Sequence, residues 1–385
     1  MDQRFRQLDS LRGLAAITVM MSHFFEIFPI FIANTYAENT SINILKYSPV
    51  HIIYAGHEAV IFFFILSGFV LSLPFYSQRQ PDYPVYVTKR IFRIYVPYVV
   101  SVIIAVILNL SISGNGINGL SDWINSVWSL PVDWVTFFGH ILFIGSFDNA
   151  EFNPVYWSLV HEMRISLVFP LLMLCLMRYK EVRNLAVWIP LSFFGFVATV
   201  LLAKIGIEID YFATFSYIIM FLLGAILAKN KDILIKKYSS LSLISKVLLS
   251  IISLLAYTSF WTFQNVRIIN YSIINDYFIA AGVFIIVIMS LAPGNLSRFL
   301  LLRPVQFLGK VSYSLYLYHS LVLFSLVYLL HNKFNWISIL SFSFVGTIIV
   351  SSFAYYLVEK PAIKFGKRVS ILIENRKHSQ LKRVV

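Results

Sequence analysis

Charged residues are scarce in this sequence, and cysteine is almost absent. Of 385 residues only 13% are charged, against the roughly 25% that is usual in soluble domains. Cys175 is the single cysteine, so an intrachain disulfide is impossible and a disulfide-stapled scaffold is excluded. The shortage of charge, together with 58% hydrophobic residues, excludes a soluble enzyme and a disordered chain.

The sequence has instead a series of apolar segments, each near the length that crosses a membrane. About twenty apolar residues in a helix cross a hydrocarbon layer of ~30 Å. The sequence therefore predicts an all-α polytopic membrane protein with about ten transmembrane helices. The predicted spans are residues 12–33, 57–76, 95–113, 157–178, 185–205, 211–229, 247–264, 276–291, 310–330 and 336–358. The apolar run 134–146 is too short to span, so it is predicted to be interfacial or re-entrant.

The net charge of +13 is distributed unevenly between the two sides of these predicted spans. Of the 31 Lys and Arg residues, 26 fall on the side that holds both termini and four on the other, while Arg164 lies within a span. Cytoplasmic loops of membrane proteins carry such an excess, which predicts that both termini are cytoplasmic. The charge is not gathered on one soluble face, as it would be in a nucleic-acid-binding protein.

Ionisable residues inside spans are costly and therefore indicate function. In the first span, Arg12 and His23 are eleven residues apart, which puts them on one helical face with ~16 Å between them. Glu26 follows on the same stripe, where a carboxylate can orient an imidazole. A lone histidine in a span often makes only a hydrogen bond between helices, but the stripe of three favours a functional site.

Three further spans carry polar groups. His161, Glu162 and Arg164 occur within four positions of the fourth span, and structural pairing explains one or two of them more readily than all three. His319 lies near the middle of the ninth span, where an interhelical hydrogen bond and a functional role fit equally well. Ser67 is at the middle of the second span, where a small residue permits either close helix packing or contact with a ligand.

Arg90 and Arg93 lie one helical turn apart before the third span. Guanidinium groups grip phosphate oxygens bidentately, which suits a phosphate-bearing ligand. Ordinary anchoring of a helix end on the cytoplasmic side explains the same pair. The sequence contains no metal-ligand spacing and no glycine-rich phosphate loop, so no metal is predicted.

Six segments occur in a fixed order along the chain: LDSLRGLAAITVMMSHF, FFFILSGFVLS, KRIFR, YWSLVHEMRISLVFP, VSYSLYLYHS and VEKPA. Together they span about 350 residues and resemble the acyltransferase-3 family of integral membrane acyltransferases. The resemblance implies an enzyme that moves an acyl group, usually acetyl, from cytoplasmic acyl-CoA to a carbohydrate hydroxyl at the outer face. It implies an acyltransferase-3-type transmembrane domain, residues 1–365, and leaves residues 366–385 as a basic cytoplasmic tail near membrane lipids. The expected location is the inner (cytoplasmic) membrane.

The resemblance also implies roles for individual residues. Arg12 and His23 correspond to the family's essential pair, and Arg90 and Arg93 to the pair near the CoA phosphates. The positions of the other polar residues agree with a path for the donor, and Ser67 is expected to line it. Glu162 is expected to bind or orient the acceptor, which is a polysaccharide or a lipid-linked glycan. The residues expected to bind substrate or line a tunnel are Glu26, His161, Arg164 and His319. Many relatives have an aromatic pair where this chain has Met163–Ser166, so Arg164 either lines a site for an anionic glycan or pairs with Glu162.

These residues support two hypotheses of different class. In the first, His23 is a general base for the acceptor hydroxyl or is itself acylated, and Glu26 or another carboxylate fixes its tautomer. In the second, the protein is a proton-coupled transporter or flippase of a glycan or small molecule, with His23 and Glu162 as a proton relay. The arginine pair and the order of the six segments favour the acyltransferase.

Overall fold

The structure is a computed structural model of the chain. It describes residues 5–33, 35–77, 82–112, 114, 116–129, 131–143, 147–148, 150–207, 209–266 and 272–384. Within these residues the regular structure is entirely helical. Several positions that belong to the sequence predictions lie outside the described residues: Arg4, Arg79 and Arg267 of the charge count, Ser113 of a predicted span, residues 144–146 of the run 134–146, and Val385 of the tail.

A helix occupies each of the ten predicted spans. The helices are α1 (Arg6–Glu26), α2 (Gly56–Tyr76), α3 (Tyr83–Ile112), α4 (Tyr156–Arg178), α5 (Glu181–Lys204), α6 (Tyr211–Ser239), α7 (Leu243–Tyr257), α8 (Ser272–Leu291), α9 (Arg303–Leu330) and α10 (Trp336–Ala354). In the described part of the chain, eight helices are long and apolar enough to cross a membrane. The two exceptions among the ten are α1, which carries several charged residues, and α7, which has 15 residues. The all-α fold with multiple apolar helices is thus confirmed, while the count of ten spans and the side of the termini stay predictions.

The boundaries of several helices differ from the predicted ones. Helix α1 ends at Glu26, and Pro29 begins a separate short helix, Pro29–Ile32, because proline suits a first helical turn and not the interior. The predicted tail is helical, since α10 continues through a π-helical turn, Tyr355–Glu359, into the helix Lys360–Val384. The short apolar run contains the nine-residue helix Trp134–Leu142, which cannot cross a membrane.

Close contacts between backbones hold the centre of the bundle together. A Cβ on Gly13 of α1 would come within 2.4 Å of the backbone nitrogen of Gly309 on α9. A Cβ on Gly68 of α2 would lie 2.0 Å from the carbonyl oxygen of Phe221 on α6. Only glycine permits such approach, and small residues serve this purpose in membrane helices. Because α1 is central, the residues along it are presented to α2 and α9.

Other helices form the rim of the bundle. The most apolar stretch of α5 is only 11% buried by protein, against 72% for that of α2. An apolar helix whose surface is left uncovered by protein is suited to contact with lipid. Polar chemistry is therefore expected around α1, α2 and α9. We call the end of the bundle where α1 begins the Arg90 end, and the end where α1 finishes the His23 end.

Candidate active site

A cavity of about 500 Å³, which we call the arginine pocket, lies among the central helices toward the Arg90 end. Arg12, Arg90 and Arg93 all line it, although α1 and α3 are far apart in sequence. The other ionisable side chains of its wall, tyrosines aside, are Asp9, Glu162, Lys310 and Glu359. Four basic groups thus face three acidic ones, which leaves the pocket with an excess of positive charge.

Two π-helical turns shape the wall of this pocket. One is Ile91–Tyr95 within α3, which supplies Arg93, and the other is Tyr355–Glu359 after α10, which supplies Glu359. Turns of this kind are rare and occur frequently at functional sites. The ring of Phe92 in the first turn contacts that of Phe365 edge-on, with centroids 5.2 Å apart, and so joins this turn to the helix that follows the second one.

Arg12, Ser67 and Glu162 form a hydrogen-bonded chain across the pocket. The Arg12 guanidinium donates to the Ser67 hydroxyl over 2.9 Å, and that hydroxyl donates to the Glu162 carboxylate over 2.8 Å. Ser67 is therefore a polar link rather than only a packing residue. Glu162, which the resemblance predicts to bind or orient the acceptor, lines the same pocket as the three arginines.

The arginines of the pocket are held close to one another. Arg93 lies near enough to Arg12 and Arg90 to repel both electrostatically. Arg90 stacks over the ring of Tyr86 at 5.7 Å, and its buried Nε has no hydrogen-bond partner among the described residues. Like charges held together in a concave site favour an anionic ligand that would separate them.

His23 contacts His319 at the other side of the bundle centre. Nδ1 of His23 lies 3.0 Å from Nε2 of His319 and 3.1 Å from the hydroxyl oxygen of Ser320. Nδ1 of His319 lies 3.0 Å from the carbonyl oxygen of Leu315. A carbonyl only accepts, so in the neutral rings His319 carries its proton on Nδ1 and accepts at Nε2. His23 then donates from Nδ1, and its Nε2 is left as the nitrogen able to take up a proton.

The free nitrogen of His23 faces a partly accessible region. Oε2 of Glu26 lies 3.9 Å from Nε2, and the side chains of His23 and Glu26 are 12% and 35% exposed. The ring of Trp123 covers one side of the imidazole, with centroids 5.1 Å apart. Trp123 is held there because the backbone nitrogen of Ser121 donates to the carbonyl of Ile27 over 2.9 Å. Glu26 thus lies beside Nε2, and the tautomer of His23 is fixed by His319 instead.

Tyr316, packed against Phe63, lies between the arginine pocket and His319. Phe63 and Tyr316 both line the pocket, and their ring centroids are 5.4 Å apart. The Tyr316 ring is 6.1 Å from that of His319, and its hydroxyl is 2.7 Å from that of Ser158. In the described residues the pocket wall does not include His23 or His319. The arginine and histidine sites are therefore neighbours with one layer of side chains between them.

His161 and Arg164 face away from the arginine pocket. Nδ1 of His161 is 2.9 Å from the Thr214 hydroxyl, and Arg164 pairs with Asp210 over 2.9 Å. The reason is helical periodicity, since Arg164 is two positions from Glu162 and so projects from nearly the opposite side of α4. Of the alternatives left open by the sequence, Arg164 pairs with a carboxylate, but that carboxylate is Asp210.

A histidine–aspartate pair at the His23 end was not predicted from the sequence. Nε2 of His57 on α2 lies 2.6 Å from Oδ1 of Asp276 on α8. A signal was available, because His57 and Glu58 are adjacent ionisable residues at the start of a span, like His161 and Glu162. Another histidine at this end, His51, stacks on Trp261, and burial lowers its pKa to about 3, so it is a neutral structural group.

The described residues offer an anion site rather than a metal site. Among them, no group of three or more His, Cys, Asp and Glu side chains could hold a metal ion. The guanidinium groups of Arg90 and Arg93 suit phosphate oxygens. The pocket also has apolar walls that can contact an uncharged chain, formed by Val60, Phe63, Phe64, Val70 and Leu159.

Fold and pocket together define a multi-helix membrane protein with a basic cavity for an anionic ligand. The Acyltransferase domain family matches residues 5–356, and the chain belongs to this family, as the six sequence segments predicted. The chain is also similar to the O-acetyltransferase OatA of Staphylococcus aureus (strain MRSA252), at 25% identity over 263 residues. That match covers 62% of this chain and 41% of the relative, so the chain matches less than half of the relative's length. No solved structure matches the chain.

Proposed function

We propose that the protein is a membrane O-acyltransferase that moves an acyl group, acetyl in the simplest case, from acyl-CoA to a carbohydrate hydroxyl. The donor binds from the cytoplasm at the Arg90 end, and the acceptor approaches the His23 end from the outer face. The observation that carries this proposal is the convergence of Arg12, Arg90 and Arg93 on one pocket. Family membership supports acyl transfer, and the excess of basic loop residues supports a cytoplasmic Arg90 end.

The donor's charged and uncharged parts match different parts of the pocket. Arg90 and Arg93 bind the CoA phosphates, and the unpartnered Nε of Arg90 gains an acceptor. The thin pantetheine arm extends along the apolar wall toward Phe63 and Tyr316. The thioester passes these two rings to reach His23, so the aromatic pair moves apart when the donor is fully bound.

His23 acts as the general base through Nε2. It takes the proton of the acceptor hydroxyl while the hydroxyl oxygen attacks the thioester carbon, the carbon–sulfur bond breaks, and the departing thiolate receives the proton from Nε2. His319 is a positioning residue, because its Nε2 accepts the Nδ1 proton of His23 and keeps the opposite nitrogen free. Glu26 stabilises the imidazolium that forms, since its carboxylate lies 3.9 Å from Nε2.

Glu162 acts through Arg12 in this proposal rather than on the acceptor. The chain from Glu162 through Ser67 fixes the Arg12 guanidinium, whose positive charge faces the donor's path. A cation fixed in this way, together with Arg90 and Arg93, attracts the anionic donor into the pocket. Glu162 and Ser67 are accordingly positioning residues, and Arg12 is the group that touches the donor.

The test uses membrane vesicles that contain the protein and are supplied with acetyl-CoA labelled in the acetyl group. We expect release of free CoA and appearance of ester-linked label on the vesicle glycan, both strongly reduced in the His23→Gln variant. Glutamine keeps hydrogen-bonding capacity but cannot take up the proton. Movement of glycan across the membrane without use of acetyl-CoA would overturn the proposal in favour of a transporter.

A further inference from the structure

A second histidine at the His23 end forms a polar cluster that the proposed mechanism does not use. His57 is 40% exposed, whereas its hydrogen-bond partner Asp276 is only 6% exposed. Glu58 is 2% exposed and lies close enough to interact electrostatically with both. Three ionisable groups from α2 and α8 therefore meet at one place, with the imidazole as the accessible member.

The contact with Asp276 decides which part of His57 is available. Since Nε2 is held by the carboxylate over 2.6 Å, Nδ1 is the nitrogen left for another partner. A buried carboxylate that holds one imidazole nitrogen fixes the ring orientation and directs the other nitrogen, as in the histidine–aspartate pairs of hydrolases. An ionisable ring with this exposure cannot face hydrocarbon without a large cost, so it faces an aqueous region.

His57 lies close to His23 and far from the arginine pocket. A Cβ on Gly56 would come within 2.8 Å of the Cβ of Ser22, so α1 and α2 touch at this point. Because consecutive Cα atoms are 3.8 Å apart, the Cα atoms of His57 and His23 are within about 14 Å of each other. Along α2, His57 is ten residues or ~15 Å from Ser67, which lines the arginine pocket. The two histidines therefore occupy the same level, on the side away from the donor.

We propose that the His57–Asp276 pair binds and orients the carbohydrate acceptor by hydrogen bonding one of its hydroxyls through Nδ1 of His57. This inference rests on the proposed function. A sugar carries several hydroxyl groups, so one is held by His57 while another is presented to Nε2 of His23. The donor's anionic groups are matched at the Arg90 end, and the second substrate needs polar groups near His23, which this pair supplies.

The experiment compares His57→Gln, Asp276→Asn and the double variant with wild type. Two quantities are measured: the affinity of the purified protein for acetyl-CoA, and the ester-linked acetyl on surface glycans of cells that make each variant. We expect an acetyl-CoA affinity within about twofold of wild type and glycan acetylation lowered by about tenfold or more, because a hydrogen bond that orients the acceptor is lost or misdirected. The double variant should be no worse than the singles, since the two residues act as one unit.

His331→Gln is the matched control. His331 is at the same end of the bundle and bonds to carbonyls of its own helix, those of Val327 and Tyr328. It should leave both measurements unchanged. Glycan acetylation at the wild-type level in His57→Gln and Asp276→Asn would overturn the acceptor site. A loss of acetyl-CoA affinity as large as the loss of glycan acetylation would also overturn it, because it would mean that the pair has a structural role. Failure of the wild-type protein itself to acetylate glycan while binding acetyl-CoA would instead overturn the proposed function.

Discussion

The two ends of the bundle handle charge in different ways. At the Arg90 end, long basic side chains surround a cavity of about 500 Å³ and repel one another. At the His23 end, His23 and His57 are each held by hydrogen bonding at one nitrogen, which directs the other nitrogen toward a further partner. The first arrangement suits affinity for a polyanion, and the second suits control of single protons. Substitutions at the two ends should therefore change different measured quantities.

The largest expected effect is at His23. A general base contributes about 10²–10⁴-fold to a rate, so His23→Gln and His23→Ala should lower glycan acylation by a factor in this range. Binding of acetyl-CoA should be preserved, because the described wall of the arginine pocket does not include His23. The measurement is label transfer at saturating acetyl-CoA. Activity in His23→Gln near that of wild type would mean that the imidazole is structural.

The arginine pair should show the opposite behaviour. Arg90→Ala and Arg93→Ala should each weaken acetyl-CoA binding about tenfold, the value expected for a lost charge-assisted hydrogen bond. Affinity measured at two salt concentrations should depend less on salt in the variants, since fewer charges take part. Lys89→Ala, a neighbouring exposed cation on α3, is the control and should bind as wild type does. If Arg90→Ala and Arg93→Ala bound acetyl-CoA as tightly as Lys89→Ala does, Arg90 and Arg93 would not be part of the donor site.

Variants of His319 test whether this residue positions His23. His319→Leu removes the acceptor of the His23 Nδ1 proton and should reduce turnover about tenfold, as the tautomer and orientation of His23 become variable. His319→Gln retains an oxygen that can accept this proton and should recover most of the activity. The KM for acetyl-CoA should stay constant in both. A rise in that KM with unchanged turnover would place His319 on the donor's path.

The smallest effect on activity is expected at Lys46, which is at the His23 end but outside the chemistry. Its fully buried ammonium donates to the carbonyls of Ile30, Ala33 and Thr35 over 2.7, 2.7 and 2.9 Å. Lys46→Met leaves these carbonyls without their donor and should lower the free energy of unfolding by about 1–3 kcal/mol. Thermal unfolding in detergent measures the loss, and acylation below the melting temperature should be that of wild type. A large loss of activity without loss of stability would extend the functional region to the segment between α1 and α2 that contains Lys46.

The sequence predicted the helices well because span formation depends on local length and hydropathy. It also singled out Arg12, His23 and the arginine pair as separate features. The sequence could not predict which polar residues contact each other across helices. His23 and His319 are 296 residues apart, and His57 and Asp276 are 219 apart. Nearness in sequence can also mislead. Arg164 is two positions from Glu162, which suggested a contact, but the helical geometry of α4 prevents it and Arg164 pairs with Asp210.

Phe63 and Tyr316 also matter for ion leakage through the protein when the membrane carries an electrical potential. A potential of 100 mV drives each elementary charge with about 2.3 kcal/mol, so a continuous polar path from the arginine pocket to His23 would short-circuit the proton gradient. The two rings interrupt that path, and the hydroxyl of Tyr316 bonds to that of Ser158. In the proposed mechanism the uncharged acyl arm parts the rings, and we expect the arm itself to insulate the path in their place. If the proposed function holds, the same two side chains let acyl transfer occur across the bilayer without leakage of ions.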